Sequence, residues 1–422
     1  MEIENANSNN LSKKKRRIFK LLLVAFGLVF GLTIAEISLR IVGYSFPEFY
    51  TTDERLGYAL APNVSGWYRK EGKSFVRINS DGLRDDEHAV AKPENTIRIA
   101  IIGDSYAEAF QVPLENAFWR VVQPKLQQCG AFGGKQIEVI NFGVSGYGTA
   151  QELITIREKI WKYSPDIVIL AFTTNNDVTD NLRHFKKSPI PYFVLQGDKL
   201  MLGDSFRNEN SFRWRNSFLS QIGQWFYRNL RVVQAVHEAQ IGLKYRFDDW
   251  KNKPAANAQI ENAPVKQNFQ KENAAPSQVG DVGIDNQIYR TPNDEFWREA
   301  WRVTEELLVL MKSEVESKGA KFLVVTLSNG IQVYPDAAAR AQFMQRVGSE
   351  DLLYPDKRIK HFGDNHGIAV LNLAPELQLY AEQNQVFLHG FDRDIGNGHW
   401  NETGHRVAGE LLGEKICGGI FK

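Results

Sequence analysis

Cysteine is nearly absent: Cys129 and Cys417 are the only two among 422 residues. So few excludes a cysteine-based zinc site and a disulfide scaffold, and leaves one disulfide or two buried thiols open. The eight histidines show no His-Glu-x-x-His or similar ligand spacing, so no metal is expected. No Gly-Lys-Ser/Thr follows a glycine-rich loop, which removes a Walker-type phosphate site, and nothing else indicates a nucleotide or flavin. No cofactor is expected. An excess of one charge is also missing. Lys and Arg total 51 against 50 Asp and Glu, so no overall field marks a nucleic-acid binder. There is no internal repeat. Hydrophobic and charged fractions are ordinary for a folded protein, and the length suits one large domain or two modest ones.

Charge is asymmetric at the amino end. Lys13, Lys14, Lys15, Arg16, Arg17 and Lys20 precede the uncharged run Leu21–Ala35. With Ile18 and Phe19 added and Lys20 snorkelling, this run approaches the length needed to cross hydrocarbon. Glu36 and Arg40, four apart, continue it as an interfacial turn or two. The expectation is a cytoplasmic basic tail over 1–17 and a single-pass transmembrane signal anchor over 18–42, with the remainder exported. The competing reading, a cleaved signal peptide, has only Thr33-Ile34-Ala35 as a weak cleavage site.

Residues 43–95 read as an irregular lead-in, broken by Gly, Pro, Asp and Asn. An α/β alternation follows over 96–177 and resumes over 291–422. Strands are expected at 97–102, 137–140, 166–172, 321–327 and near 369–373. Helices are expected at 115–128 and 150–163, from Asn293 or Asp294 with Trp297, Trp301, Leu308 and Met311 on one face, and over 401–416. Such alternation implies a parallel sheet covered on both faces. Residues 178–290 form an insertion. Its 217–247 part is aromatic-rich and helical, and its 251–282 part is too poor in large apolar residues to offset ordering entropy, so it reads as a disordered loop. Trp225, Phe226 and Tyr227 suit a lid or a membrane-resting face, although aromatic helical stretches are more often core.

In open α/β sheets, ligands sit at the carboxyl ends of the strands. Gly103-Asp104-Ser105 follows the first strand, and its glycine permits a sharp turn presenting the Ser105 hydroxyl. A hydroxyl is a weak nucleophile and needs a base. The loop Asn141–Gly148 follows the second strand, and a glycine there can aim its backbone N–H at an oxyanion. Thr173–Asp177 follows the third, where an asparagine amide can do the same or merely form an Asx turn. His399 stands just before the last helix, with Asn401 as its N-cap. His405 lies within that helix and reads as packed or surface.

These four elements, in this order with the histidine last, resemble the SGNH (GDSL-type) hydrolase family, in a membrane-anchored bacterial form. Ser105, Gly146, Asn176 and His399 match its block one serine, block two glycine, block three asparagine and block five histidine. Ile78–Arg84 also resembles anchored members. The resemblance covers roughly 75–416 apart from the insertion. It implies a flavodoxin-like three-layer α/β/α sandwich with a central parallel sheet (the SGNH hydrolase fold), preceded by one transmembrane helix. It further implies Ser105 as nucleophile, His399 as base, and the Ser105 N–H, Gly146 N–H and Asn176 amide as oxyanion donors.

Two positions depart from the family pattern. Thr174 stands where block three has glycine. Asn397 and Gly396 stand where the family places its triad aspartate, two or three residues before the histidine. Asp394 and Asp392 are the nearest carboxylates, and Asp394 is the expected third member; the alternatives are a backbone carbonyl leaving a Ser-His dyad, or a slow enzyme, and Asn397 could hold the ring through its carbonyl oxygen.

The leading expectation is an extracytoplasmic ester hydrolase working through an acyl-enzyme, with an acylated glycan as candidate substrate, contact to the membrane through its helix and none to nucleic acid. An O-acyltransferase of surface polysaccharide is the second reading. A non-catalytic carbohydrate-binding or assembly domain, motivated by the altered aspartate position, is the third.

Overall fold

The structure is a computed structural model that describes residues 2–197, 199–252, 284–392 and 394–421. Apart from its first two residues, the stretch 251–282 expected to be disordered lies outside the described residues.

In chain order the elements are helix α1 (Glu2–Ile41), strands β1 (Tyr50–Asp53), β2 (Gly57–Leu60), β3 (Ser65–Tyr68), β4 (Ser74–Arg77) and β5 (Thr96–Gly103), α2 (Ser105–Glu108), α3 (Phe118–Cys129), β6 (Gln136–Asn141), α4 (Thr149–Glu158), β7 (Ile167–Thr173) and α5 (Asn176–Thr179). Then come β8 (Tyr192–Gln196), β9 (Lys199–Gly203), α6 (Asn210–Arg215), α7 (Phe218–Asn229), α8 (Arg231–Asn252), α9 (Glu295–Ser317), β10 (Lys321–Leu327), α10 (Ala337–Val347), α11 (Tyr354–His366), β11 (Ala369–Asn372), α12 (Ala374–Asn384) and α13 (Glu402–Cys417).

Contacts divide the chain into two units, Met1–Glu48 with Gln221–Pro264, and Phe49–Ser220 with Val265–Lys422. The larger unit is built on five parallel strands in the order β11-β10-β7-β5-β6. Numbered within the sheet, that order is 5-4-3-1-2, the flavodoxin-like arrangement. Alternating strand residues feed two separate cores. Ile99, Ile101, Ile169 and Val325 pack with Phe118, Val122 and Leu126 of α3, Leu377 of α12 and Leu412 of α13. Ala100, Ile102, Leu170 and Val324 pack with Leu153 of α4, Trp301 and Leu308 of α9 and Ile359 of α11. The fold is therefore the expected three-layer α/β/α sandwich.

Local chemistry sets the helix ends. Asp294 accepts from Trp297 N–H at 2.8 Å to start α9, and Asn401 accepts from Gly404 N–H at 3.0 Å to start α13. Helices α3 and α13 approach closely because Gly409 has no Cβ; one placed there would lie 2.4 Å from Phe118 O. Their ends are joined by a disulfide between Cys129 and Cys417, Cα atoms 6.1 Å apart. Of the two states open to the cysteines, the structure has the bonded one.

The lead-in is more regular than expected. It holds two antiparallel hairpins, β1–β2 and β3–β4, and the insertion holds a third, β8–β9. Strands of four or five residues between Gly, Pro and Asn carry too few positions to display a period.

In the smaller unit, Lys15–Ile41 of α1 is long and apolar enough to cross a membrane. The expectation that Trp225 and Phe226 are core is corrected: they are 56% and 43% exposed. Tyr227 packs on His237, ring centroids 4.6 Å apart.

Candidate active site

Strand β5 ends at Gly103, where a Cβ would meet Ala171 O at 2.8 Å. Asp104 caps the next turn by accepting from Tyr106 N–H at 3.0 Å, and this places Ser105 as the first residue of α2. A first helical residue has no carbonyl one turn back within its helix, so the Ser105 N–H is left for another acceptor.

His399 reaches Ser105 from the other end of the chain. Its Nε2 is 2.7 Å from Ser105 Oγ. Its Nδ1 is 2.5 Å from Glu71 Oε2, and its backbone N–H donates to Glu71 Oε1 at 2.7 Å. Glu71 lies in the tip between β3 and β4. Burial raises its pKa, but hydrogen bonds and charge from His399 outweigh that, and the carboxyl stays below its ordinary range. An ionised carboxylate only accepts, so Nδ1 carries the hydrogen and Nε2 is the free acceptor facing Ser105. Burial works against protonation of His399, yet the Glu71 hydrogen bond and charge, with Asp104 and Glu108 behind them, raise its pKa above the ordinary value.

The position expected of Asp394 is thus filled by Glu71. Asp394 closes a local turn instead: its carboxylate accepts from Asn397 Nδ2 at 3.2 Å and its carbonyl from Asn397 N–H at 3.1 Å. Neither residue is hydrogen-bonded to the imidazole. Two glycines let Glu71 reach His399. A Cβ on Gly72 would lie 2.4 Å from Gln111 O, and one on Gly398 would lie 2.2 Å from Glu71 Oε1.

His389 buttresses the same loop. Its Nδ1 is 2.8 Å from Gly398 O and its Nε2 is 3.0 Å from Ser328 Oγ, which also accepts from Trp400 Nε1 at 2.8 Å. Burial lowers its pKa to about 4, so it is a neutral strut at ordinary pH. His405 is also buried, and its Nδ1 accepts from Phe118 N–H at 3.3 Å.

The loop carrying Gly146 is pinned to α2. Ser145 N–H donates to Glu108 Oε1 at 3.0 Å, and Tyr58 Oη donates to Ser145 O at 2.8 Å. Lys186 Nζ donates to Gly146 O at 2.6 Å. Gly146 has φ +74°, which favours glycine, and its N–H meets no backbone carbonyl among the described residues. Burial lifts the Glu108 pKa to about 7 despite hydrogen bonds from Ser145 and Tyr50 and the nearby Arg84 charge. Asn176 begins α5 and donates one amide hydrogen to Asp104 Oδ2 at 2.6 Å. Its second amide hydrogen meets no acceptor among the described residues. Asp104 therefore ties the Asn176 side chain to the turn that carries Ser105. Among the described residues no group of three or more His, Cys, Asp or Glu side chains could hold a metal ion.

No family model matches the chain, and no curated protein matches it significantly. Among solved structures it is similar to the acetyl xylan esterase AlAXEase at 12% identity, over 76% of this chain and 100% of that one, TM-score 0.35. It is also similar to LAE5, an α/β hydrolase enzyme from the metagenome of Lake Arreo, at 13% identity over 76% and 95%, TM-score 0.34. A third, a two-domain esterase (CEX) active on acetylated mannans, shares 11% identity over 78% of this chain and 50% of its own, TM-score 0.33. These scores are low, so the fold rests on the sheet order above and the site on its own distances.

Proposed function

We propose that this chain is a serine ester hydrolase acting through an acyl-enzyme. The observation that carries the reading is the continuous contact Ser105 Oγ–His399 Nε2, His399 Nδ1–Glu71 Oε2, at 2.7 and 2.5 Å. In the proposed reaction His399 Nε2 takes the Ser105 proton as Oγ bonds to the ester carbonyl carbon. The resulting oxyanion is met by the Ser105 N–H, the Gly146 N–H and the second Asn176 amide hydrogen. Collapse breaks the ester C–O bond, and the imidazolium gives its proton to the departing alcohol. Water, deprotonated by His399, then releases the acid and restores Ser105. Glu71 stabilises the imidazolium in both halves. The carboxylate on His399 supports the catalytic reading over the non-catalytic one, which was motivated by the altered aspartate position.

An acylated glycan is the proposed substrate. Phe75, 46% exposed and edge to face with Trp67 at 5.4 Å, offers an apolar surface for a sugar ring on the hairpin that carries Glu71. The proposed location is outside the cytoplasmic membrane, anchored by α1. The basic amino end and the Cys129–Cys417 disulfide both fit that compartment.

The purified protein is expected to hydrolyse p-nitrophenyl acetate and to be labelled on Ser105 by a fluorophosphonate, and Ser105→Ala to lose both. Undiminished hydrolysis by Ser105→Ala overturns the assignment. Supplying a candidate glycan and analysing it for new acyl groups separates transfer from hydrolysis.

A further inference from the structure

The end of α7 and the start of α8 are fastened to the C-terminal end of α1. Glu36 accepts from Val232 N–H at 2.9 Å, so a carboxylate of α1 satisfies an N-terminal amide of α8. Arg40 pairs with Glu36 at 2.8 Å and donates to Asn229 O, in the last residue of α7, at 2.8 Å. Gln234 locks the corner. Its Nε2 donates to Tyr227 O at 2.9 Å and Arg228 O at 3.1 Å, and its Oε1 accepts from Phe46 N–H at 2.8 Å and Arg231 Nη1 at 3.2 Å. A fully buried amide with all these partners is a rigid joint.

The other face of α7 is exposed among the described residues. Ile222, Trp225 and Phe226 stand at i, i+3 and i+4, one stripe of a helix, and are 38%, 56% and 43% exposed. Their level is set by α1. Lys20 and Arg40 are twenty residues apart, about 30 Å at ~1.5 Å per residue, which matches the hydrocarbon thickness. With Lys20 at one boundary, Arg40 reaches the other, and the joint holds the C-terminal end of α7 there. Tryptophan favours that boundary.

We propose that α7 is an interfacial helix lying among the headgroups of the bilayer that α1 crosses, with Ile222, Trp225 and Phe226 turned into the acyl boundary. This rests on α1 being a retained span. The occupant of the apolar stripe is phospholipid, and the chain holds the membrane at two points.

The test uses full-length protein reconstituted in phosphatidylcholine–phosphatidylglycerol vesicles. Ile222→Cys, and separately Phe226→Cys, is labelled with an environment-sensitive fluorophore; the native cysteines are paired and do not react. Glu238→Cys on α8 is the exposed comparison. Labels at 222 and 226 are expected to shift to the blue and to lose most of their emission to lipids carrying a doxyl group high on the acyl chain, with little loss to aqueous iodide. The label at 238 should behave in the opposite way. Labels at 222 and 226 quenched by iodide, or shielded from both quenchers as by a second copy of the chain, overturn the proposal. Alkaline carbonate extraction separates the two readings. A chain that stays in the membrane with iodide-accessible labels refutes the α7 inference alone, whereas a chain that extracts refutes the span as well.

Discussion

Replacing Glu71 by glutamine isolates the part of the proposed mechanism that depends on the carboxylate. The ground state has a neutral His399, and the transition state has an imidazolium. The attraction to Glu71 therefore grows as the reaction proceeds and acts on rate rather than on binding. Two charges about 4 Å apart interact by about 4 kcal/mol at an effective dielectric of 20. The Glu71 and His399 side chains are 21% and 26% exposed, so solvent screens the pair. Halving the figure leaves about 2 kcal/mol. Glutamine introduces a second defect. Both Glu71 oxygens accept hydrogen bonds, one from the His399 backbone N–H and one from Nδ1. Glutamine has one acceptor oxygen, so an N–H must face an N–H, at a cost of about 1 kcal/mol. The sum, about 3 kcal/mol, corresponds to a fall of roughly 150-fold in kcat/KM.

The pH dependence gives a second readout. Glu71 is what raises the His399 pKa against the effect of burial, and the neutral form is the base. Activity of the unmodified protein should fall as pH drops through that raised pKa. In Glu71→Gln the acid limb should move to lower pH, so the deficit is greatest on the alkaline plateau and narrows towards acid. The assay is p-nitrophenyl acetate hydrolysis across pH, with thermal unfolding as the control for folding. A Glu71→Gln protein within threefold of the parent and with an unmoved acid limb, while Ser105→Ala is inactive, refutes the assigned role.

Asp394→Asn is expected to leave kcat/KM within about twofold, because among the described residues the carboxylate engages only Asn397 and its amide replacement can still accept. A loss as large as that of Glu71→Gln would restore Asp394 as the partner. Gly398→Ala should lower kcat/KM with little change in KM, since its Cβ would occupy the place of Glu71 Oε1 at a positive φ of 71°; steady-state kinetics check this. Asn176→Ala removes one proposed oxyanion donor and should lower kcat by about 10²-fold or more, with fluorophosphonate labelling of Ser105 slowed in parallel. Replacing Cys129 and Cys417 by serine opens a cross-link spanning 288 positions and should cost about 2–5 kcal/mol, read as a lower denaturant midpoint that reductant reproduces in the parent protein.

The sheet was legible because its strands are apolar and β-branched runs bounded by Gly, Asp and Asn, and its helices carry their own caps, Asp294 and Asn401. The loop residues Ser105, Gly146 and Asn176 follow strand ends and His399 precedes a helix, so position along the chain marked their loops, and the resemblance to the SGNH hydrolase family picked the residues. Glu71 was not legible. It stands 328 residues before His399, and no local pattern links a hairpin tip to a loop before the last helix. Its only trace is a lone carboxylate among Arg69, Lys70 and Lys73 beside Gly72. Trp225 and Phe226 misled for a different reason: residue type reports hydrophobicity but not whether protein or another medium receives it.

Glu71 precedes the first strand of the five-stranded sheet, and His399 follows the last. The proposed triad is therefore stitched from residues 328 positions apart, with that sheet folded between them. Neither a growing chain still held by the ribosome nor one whose hairpin has not settled on the sheet has a completed base. If the proposed export runs ahead of folding, as the proposed amino-terminal anchor allows, the proposed hydrolytic competence would arise only after α13 has crossed the membrane. The layout would then serve as a built-in timer, keeping an ester-cleaving centre silent on the side where the protein is made.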